Sequence, residues 1–321
     1  MKYISFLLIL FLNTSQVNSQ SKKQQVATIC NHPMLASFKN LPEIKTSSNW
    51  FKVYKVGKNV LAIIEPYNFE QAICYLILGK NKALLFDTGL GVDSISVIIK
   101  QLTKLPTIVL NSHTHYDHIG GNYEFENILS LNTAFSNKHA EDGWNHNDVK
   151  HEVTVESICL QKIPQLDTAN YSIRPYKISK YITNGEIIDI GERQLKVISV
   201  PGHTPDAIVL YDKKNKYLWT GDTYYDGPIY LFANETDLIA YKKSVDKIFK
   251  LVPKLKMIFP SHNTPISETQ RLVELKINFN KIINGNRKNI KYVGNTVIFD
   301  FKHFGFKINK EKLNNLTLKN K

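Results

Sequence analysis

Cysteine is scarce in this chain of 321 residues, which contains only Cys30, Cys74 and Cys159. The odd number leaves room for one disulfide and one free thiol. Cys74 lies in an apolar run at residues 72–78, and we expect it to be a small buried hydrophobe. None of the three lies near the histidine-rich segments, which excludes a thiolate metal site there.

Long hydrophobic runs are absent after residue 20, which excludes a membrane-spanning helix in that part of the sequence. Residues 1–20 combine Lys2, an apolar stretch at residues 4–12 and small polar residues at 13–19. This pattern predicts a secretory signal peptide, too short to span a membrane. We therefore expect a secreted or periplasmic protein without a membrane span.

Acidic residues are outnumbered, with 28 Asp and Glu against 41 Lys and Arg, which gives a net charge of +13. The basic residues are dispersed and become dense only at residues 307–321. Dispersed charge indicates a solvated surface rather than a nucleic-acid interface. We therefore expect a small-molecule substrate and no nucleic-acid partner, and the oligomeric state stays open.

The apolar fraction of 43% is ordinary for a chain with a substantial core. Residues 21–48 are polar and predict an N-terminal extension, and residues 311–321 predict a basic tail. Between them, residues 49–310 form the predicted domain. It contains a poorly patterned insert at about 124–184, whose His146 and His151 are candidates to line a pocket.

Strand and helix patterns alternate along this domain. Apolar strands flank turns at 57–59 and 79–81, and a helical spacing follows at 92–104. Strands resume at 186–220, and Asp237 has the character of a helix N-cap. Strand-rich halves that each include helices predict an α/β fold, a four-layer αββα sandwich of two mixed β-sheets flanked by helices.

Histidine and aspartate occur at spacings typical of a two-metal site. Each group follows an apolar strand, and strand ends that meet at one edge of a sheet are where α/β sites form. Hydrolysis at metal ions requires several nitrogen and oxygen ligands that converge on one point. The candidate ligands are His113, His115, Asp117, His118, His203, Asp222 and His262.

The chain resembles the metallo-β-lactamase superfamily from about Trp50 to beyond His262. The resemblance rests on the motifs Phe86-Asp87-Thr88-Gly89, His113-Thr114-His115-Tyr116-Asp117-His118-Ile119-Gly120-Gly121, Pro201-Gly202-His203-Thr204-Pro205, Thr220-Gly221-Asp222 and Ser261-His262. It implies the αββα fold that the strand pattern also predicts.

The resemblance also implies a division of the ligands. The first metal would be held by His113, His115 and His203, and the second by Asp117, His118 and His262. Asp222 would bridge the two. Asp87 would form a hydrogen bond to a ligand or to its loop. We expect two Zn²⁺ ions, although Fe or Mn also suits these ligands.

An aspartate at position 222 resembles the pattern of glyoxalase II, lactonases and related hydrolases. We therefore expect an exported binuclear zinc-dependent hydrolase that cleaves an ester, thioester or lactone bond by attack of a metal-bridging hydroxide. Asp117 would steer the hydroxide and carry a proton to the leaving group. Tyr225, three residues after Asp222, would stabilise the developing oxyanion.

Three other functions remain open. The first is a β-lactam hydrolase of the class B type, which export would suit but Asp222 disfavours. The second is a metal- or ligand-binding member of the fold without turnover, which the complete ligand set disfavours. The third is a di-iron redox protein, for which the chain has no room for a flavin or electron-transfer domain.

Overall fold

The computed structural model describes Cys30 and residues 36–286, 288 and 290–319. The predicted signal peptide at residues 1–20 lies outside the described residues. Within the described residues, no helix is long and apolar enough to cross a membrane.

The first sheet has eight strands in chain order. Its first five strands are antiparallel neighbours, and β5 to β8 run parallel. The hairpins predicted around the turns at 57–59 and 79–81 are confirmed. The strands are β1 (Glu43–Ile44), β2 (Lys52–Gly57), β3 (Val60–Ile64), β4 (Ile73–Leu78), β5 (Ala83–Phe86), β6 (Thr107–Leu110), β7 (Ile128–Leu131) and β8 (Lys180–Ile182).

Two further sheets follow along the chain. The second sheet has the order β14-β12-β11-β10-β9, in which only β12 and β14 are parallel. A third sheet, with the order β13-β17-β16-β15, was not expected from the sequence. The strands are β9 (Ile187–Asp189), β10 (Gln194–Ser199), β11 (Ile208–Asp212), β12 (Tyr217–Gly221), β13 (Gly227–Leu231), β14 (Met257–Pro260), β15 (Ile290–Val293), β16 (Thr296–Asp300) and β17 (Phe304–Asn309).

Helices connect and cover these sheets. Asp237 caps one of them, as predicted, because its carboxylate accepts from the backbone N–H groups of Ile239 and Ala240. The α-helices are α1 (Ile95–Leu102), α2 (Tyr116–Ile119), α3 (Ala134–Asp142), α4 (His146–Val149), α5 (Leu238–Phe249), α6 (Gln270–Ile283) and α7 (Lys310–Lys319). Short 3-10 helices occur at Ala36–Phe38, Asn122–Glu124, Lys150–Val153, Leu160–Lys162 and Val252–Lys254.

The core lies in three apolar layers that account for the sandwich. Between the first two sheets, Tyr75 and Phe86 pack with Trp219 and Phe259, all fully buried. The outer face of the first sheet packs against α1, and that of the second packs against α5, α6 and the third sheet. Burial of each large apolar side chain contributes about 1.5–3 kcal/mol, so this packing fixes the two sheets face to face. The predicted four-layer α/β sandwich is therefore confirmed.

Three predicted segment descriptions differ from the structure. The extension at residues 21–48 includes β1, which pairs with β2. The segment at 124–184 is not wholly an insert, because β7 and β8 complete the first sheet. The segment at 311–321, predicted as a basic tail, is helical to Lys319, and α7 buries Leu313 and Leu316 against the core.

The cysteines divide as one disulfide and one thiol. Cys30 and Cys159 are bonded across 129 positions of sequence. Cys74 is free and buried in β4, as expected. The disulfide ties the segment before β1 to the segment between α4 and β8.

Candidate metal centre

The seven candidate ligands lie at strand ends along one edge of the sandwich. His113 and His115 follow β6, whereas Asp117 and His118 belong to α2. Asp222 directly follows β12. His203 and His262 come shortly after β10 and β14, and this completes the group. Neighbouring strands thus deliver side chains that are far apart in sequence to one place.

The loop before His203 depends on a glycine. Gly202 has φ +142°, and a Cβ there would lie 2.3 Å from the backbone nitrogen of Tyr241 in α5. Its carbonyl also accepts a hydrogen bond of 2.9 Å from the N–H of Asp237. Only a residue without a side chain lets the loop approach the start of α5 so closely.

Three imidazole nitrogens converge in the first group. His113 Nε2 and His115 Nδ1 are 3.0 Å apart, and His203 Nε2 lies 3.2 and 3.0 Å from them. His203 Nδ1 donates to the carbonyl of Tyr230 at 2.8 Å, and His115 Nε2 donates to Glu235 Oε1 at 2.7 Å. In the neutral ring the other nitrogen then carries a lone pair. The facing lone pairs form a cradle for a cation.

One aspartate and two histidines converge in the second group. His118 Nε2 and His262 Nε2 are 3.3 Å apart, and each lies within 3.3 Å of Asp117 Oδ2. His262 Nδ1 donates to the carbonyl of Glu70 at 2.8 Å, which fixes the orientation of that ring.

Asp222 lies between the two groups. Its Oδ1 is 3.2 Å from His262 Nε2, and its Oδ2 is 3.6 Å from His203 Nε2. Oδ1 is buried and has no hydrogen-bond partner. An unpartnered buried carboxylate oxygen is costly unless a cation or donor reaches it. The donor set and this oxygen therefore fit metal ions in both groups.

The pKa values of the candidate ligands differ between the first and the second group. Burial lowers the pKa of His203 to about 4, so its ring is neutral and able to bind metal. Burial acts in the same direction on His262, but the carboxylates of Asp222 and Asp117 outweigh it and raise its pKa to about 10. The histidines His118 and His262 in turn lower the pKa of Asp117 to about 2 against the effect of burial. The second group is thus a dense cluster of opposite charges.

Asp87 supports the second group as predicted from the family pattern. Its Oδ2 accepts from His118 Nδ1 at 3.0 Å and from Ser261 Oγ at 3.2 Å. Its Oδ1 accepts from the backbone N–H of Ser112 at 2.6 Å. Asp87 thus orients one ligand and holds the strand end that delivers His113.

Sequence reasoning missed Glu235. Its carboxylate receives the hydrogen bond from His115 and so presents Nδ1 of that ring to the first group. Glu235 lies in the loop between β13 and α5, far from every ligand motif. No local sequence signal distinguishes it from a surface glutamate.

A model of the metallo-β-lactamase superfamily matches residues 67–262 of this chain. The chain belongs to that superfamily.

Relatives within the superfamily are named as hydrolases. An acyl-coenzyme A thioesterase, MBLAC2 of Gallus gallus, is 25% identical over 243 residues, which cover 72% of this chain and 86% of the relative. The probable metallo-hydrolase YqgX of Bacillus subtilis is 24% identical over 214 residues, covering 65% and 92%. The chain is therefore a metal-dependent hydrolase.

Solved structures of the superfamily share the fold. A metallo-beta-lactamase from Pontibacter korlensis aligns with a TM-score of 0.52 at 19% identity. The alignment covers 72% of this chain and 99% of that one. At this identity the likeness shows the fold alone.

The role of Tyr225 in stabilising an oxyanion stays a prediction. In the structure its hydroxyl forms hydrogen bonds with backbone groups of β13. The ring lies 4.9 Å from that of His262, but the hydroxyl donates to the carbonyl of Pro228 at 2.7 Å. It also accepts from the N–H of Tyr230 at 3.3 Å. Tyr225 thus stabilises β13 through these two hydrogen bonds. The same strand supplies the Tyr230 carbonyl that orients His203.

The predicted insert supplies an aromatic wall beside His115. The rings of Phe135 and Trp144 lie 6.1 and 6.2 Å from that of His115, and Tyr116 lies 5.7 Å from Trp144. His139 stacks on Trp144 at 4.1 Å as a packing residue. The wall gives the site an apolar side.

The two histidines considered for the pocket have different surroundings. His146 Nδ1 donates to the carbonyl of Tyr171 at 2.9 Å, which is a packing role. His151 Nε2 lies 3.2 Å from the hydroxyl of Tyr116, the residue between two ligands. Of the two, only His151 is in contact with the site.

Proposed function

We propose that this protein is a binuclear zinc hydrolase that cleaves thioesters and related esters or lactones. The observation that carries the proposal is the position of Asp222, whose two carboxylate oxygens lie near different histidine groups. A shared carboxylate is what two adjacent cations require, since it offsets their mutual repulsion. Among the seven ligands, no other side chain lies near histidines of both groups through separate oxygens.

Bound zinc would lower the pKa of a water molecule at the centre and polarise the scissile carbonyl. The chain's residues supply the rest of the chemistry. Asp117, ionised and beside Asp222, orients the attacking water and carries a proton to the leaving group. The wall formed by Phe135 and Trp144 excludes water from one side of the acyl group.

Thioesters are the first substrate class to test within this proposal. The relatives named as acyl-coenzyme A thioesterases align over most of this chain, which supports that choice. A thiolate is also a good leaving group, so the reaction makes little demand on a general acid.

Export from the cytosol is a further part of the proposal. The bond between Cys30 and Cys159 supports it, because disulfides persist in oxidising compartments. Protein secreted by the cells that produce it should begin after about residue 20. N-terminal sequencing would contradict export if it found the intact segment on protein retained in the cytosol.

The test is a hydrolysis panel with metal analysis. Zinc-loaded protein is assayed with thioester, lactone, phosphodiester and β-lactam substrates, alongside Asp222→Ala and the control Asp300→Ala. Asp300 is an exposed aspartate of β16 whose carboxylate lies 3.4 Å from Lys291 Nζ, and its replacement should leave metal binding and hydrolysis unchanged. Asp222→Ala should lose metal and thioester hydrolysis while the fold persists. Full hydrolysis by metal-depleted Asp222→Ala protein would contradict the proposal.

A further inference from the structure

Asp206 is a buried aspartate outside the set of seven candidate ligands. It lies three residues after His203 and two before β11, and it is 4% exposed. Its Oδ2 accepts from Thr114 Oγ1 and its Oδ1 accepts from Thr204 Oγ1, both at 2.7 Å. Each oxygen of this carboxylate is thus bonded to a different loop.

The two threonines adjoin the ligands of the first metal group. Thr114 lies between His113 and His115, and Thr204 directly follows His203. The two imidazoles of the first loop present nitrogens to the group, whereas the hydroxyl of Thr114 donates to the buried carboxylate. One carboxylate therefore joins the loop after β6 to the loop after β10, and these loops supply all three histidines of the first group.

The backbone also connects these loops, but only at the ends of the strands. The N–H of Ile208, the first residue of β11, donates to the carbonyl of Ser112 at 2.8 Å. The N–H of Val200 donates to the carbonyl of Ala207 at 2.8 Å and closes the loop after β10. The histidines lie beyond these bonds, in the part of each loop that the carboxylate of Asp206 joins.

The hydrogen bonds around this carboxylate are closed to solvent, because Thr114, Thr204 and Asp206 are all buried. Thr114 Oγ1 gives its proton to the carboxylate and accepts from His139 Nδ1 at 3.2 Å. The carbonyl of Thr114 accepts from Trp144 Nε1 at 3.1 Å. Removal of the carboxylate would leave two buried hydroxyls without an acceptor, which is unfavourable unless the loops move apart.

We propose that Asp206 is a positioning residue for the first metal group. It acts through Thr114 and Thr204 and sets the separation of the two loops before metal binds. The assignment rests on the proposed function, because it concerns the metal site of that hydrolase. The second group should depend on it little, since the rings there are oriented by Asp87 and by the carbonyl of Glu70.

The test measures zinc affinity in competition with chelators of increasing strength. Asp206→Ala should weaken binding of one of the two ions about 10- to 100-fold, which is the effect of losing a residue that orients a metal ligand. Asp206→Asn should weaken it less, because the amide oxygen still accepts from one threonine.

Proton NMR of Co²⁺-loaded protein identifies the group that is affected. The ring N–H protons of His115 and His203 report on the first group, and those of His118 and His262 report on the second. In Asp206→Ala the first pair of signals should shift or broaden, and the second pair should stay in place.

Threonine variants keep the test decisive should Asp206→Ala fail to fold. Thr204→Val removes the hydroxyl and nearly keeps the shape of the side chain, so it should weaken zinc binding at the first group. Thr204→Ser retains the hydroxyl and should bind zinc as wild type does. Thr114→Val and Thr114→Ser should differ in the same way.

Asp212→Asn is the matched control, since Asp212 is a buried aspartate at the other end of β11 that pairs with Arg193 at 2.7 Å. It should lower Tm and leave both zinc affinities unchanged, which separates positioning from general stability. Unchanged zinc affinity in Asp206→Ala and Thr204→Val, or equal losses at both metal groups, would overturn the positioning role and leave the proposed function standing. Weaker zinc binding at the first group in Asp206→Ala, with no hydrolysis of any ester or thioester by the wild type, would support the positioning role and overturn the proposed function.

Discussion

At the scale of single residues, each histidine of the centre relies on a partner for its other ring nitrogen. Tyr230 provides a carbonyl for His203, Glu70 provides one for His262, and Asp87 provides a carboxylate for His118. Such partners fix the tautomer and the ring direction before metal arrives. The ligand positions are therefore set by the protein rather than by the ion.

Replacement of Glu235 tests this dependence. The bond from His115 lowers the pKa of Glu235 to about 2 although burial opposes it, so the carboxylate is ionised. Glu235→Ala should weaken zinc binding about 10- to 100-fold, and Glu235→Gln should weaken it less because the amide oxygen still accepts. Competition with a chelator measures the affinity. Unchanged affinity in Glu235→Ala would show that His115 needs no partner.

Glu65 is a buried carboxyl that accepts hydrogen bonds from Trp50 Nε1 and from the N–H of Leu90. Burial raises its pKa to about 8, although these two bonds oppose the shift. The folded state thus keeps a proton that the unfolded state releases above about pH 4.5. The contribution to stability is complete below that pH and is lost as pH rises toward 8.

Glu65→Gln, which cannot ionise, should therefore gain stability relative to wild type between about pH 5 and about pH 8. Thermal unfolding of both proteins at equal metal loading measures the difference. A difference in Tm that is independent of pH would contradict the assignment.

At the scale of elements, the site depends on how closely the loop after β10 meets α5. Gly202→Ala would push a Cβ into the backbone of Tyr241. We expect a loss of about 2–4 kcal/mol in the free energy of unfolding, together with weaker zinc binding through His203. Gly285→Ala is the matched control, since Gly285 also has positive φ but nothing lies within 4 Å of its Cβ position. Similar losses of stability in both variants would show that the positive φ, rather than the clash with Tyr241, causes the effect.

The elements also show what the sequence could predict. A ligand such as Asp222 follows an apolar strand, so the pattern places it at a sheet edge. Glu235 lies in the loop after β13 without a recognisable motif around it, and only tertiary packing brings it to His115. The third sheet escaped prediction because β13 pairs in parallel with the distant β17, a pairing that local patterns do not encode.

At the scale of the whole molecule, the disulfide stabilises the fold by closing a long loop. Reduction of Cys30–Cys159 should lower the free energy of unfolding by about 2–5 kcal/mol. Denaturant unfolding with and without reductant measures this loss. Cys30→Ala should match the reduced protein and show no further response to reductant. Identical stability of oxidised and reduced protein would contradict the prediction.

Zinc titration of the metal-free protein tests whether the centre holds two ions and whether hydrolysis depends on them. Zinc binding and thioester hydrolysis are followed together as metal is added. The two groups joined by Asp222 predict that binding saturates at about two ions per chain and that hydrolysis rises with occupancy. Saturation at a single ion, or full hydrolysis before any zinc is added, would contradict a binuclear hydrolase.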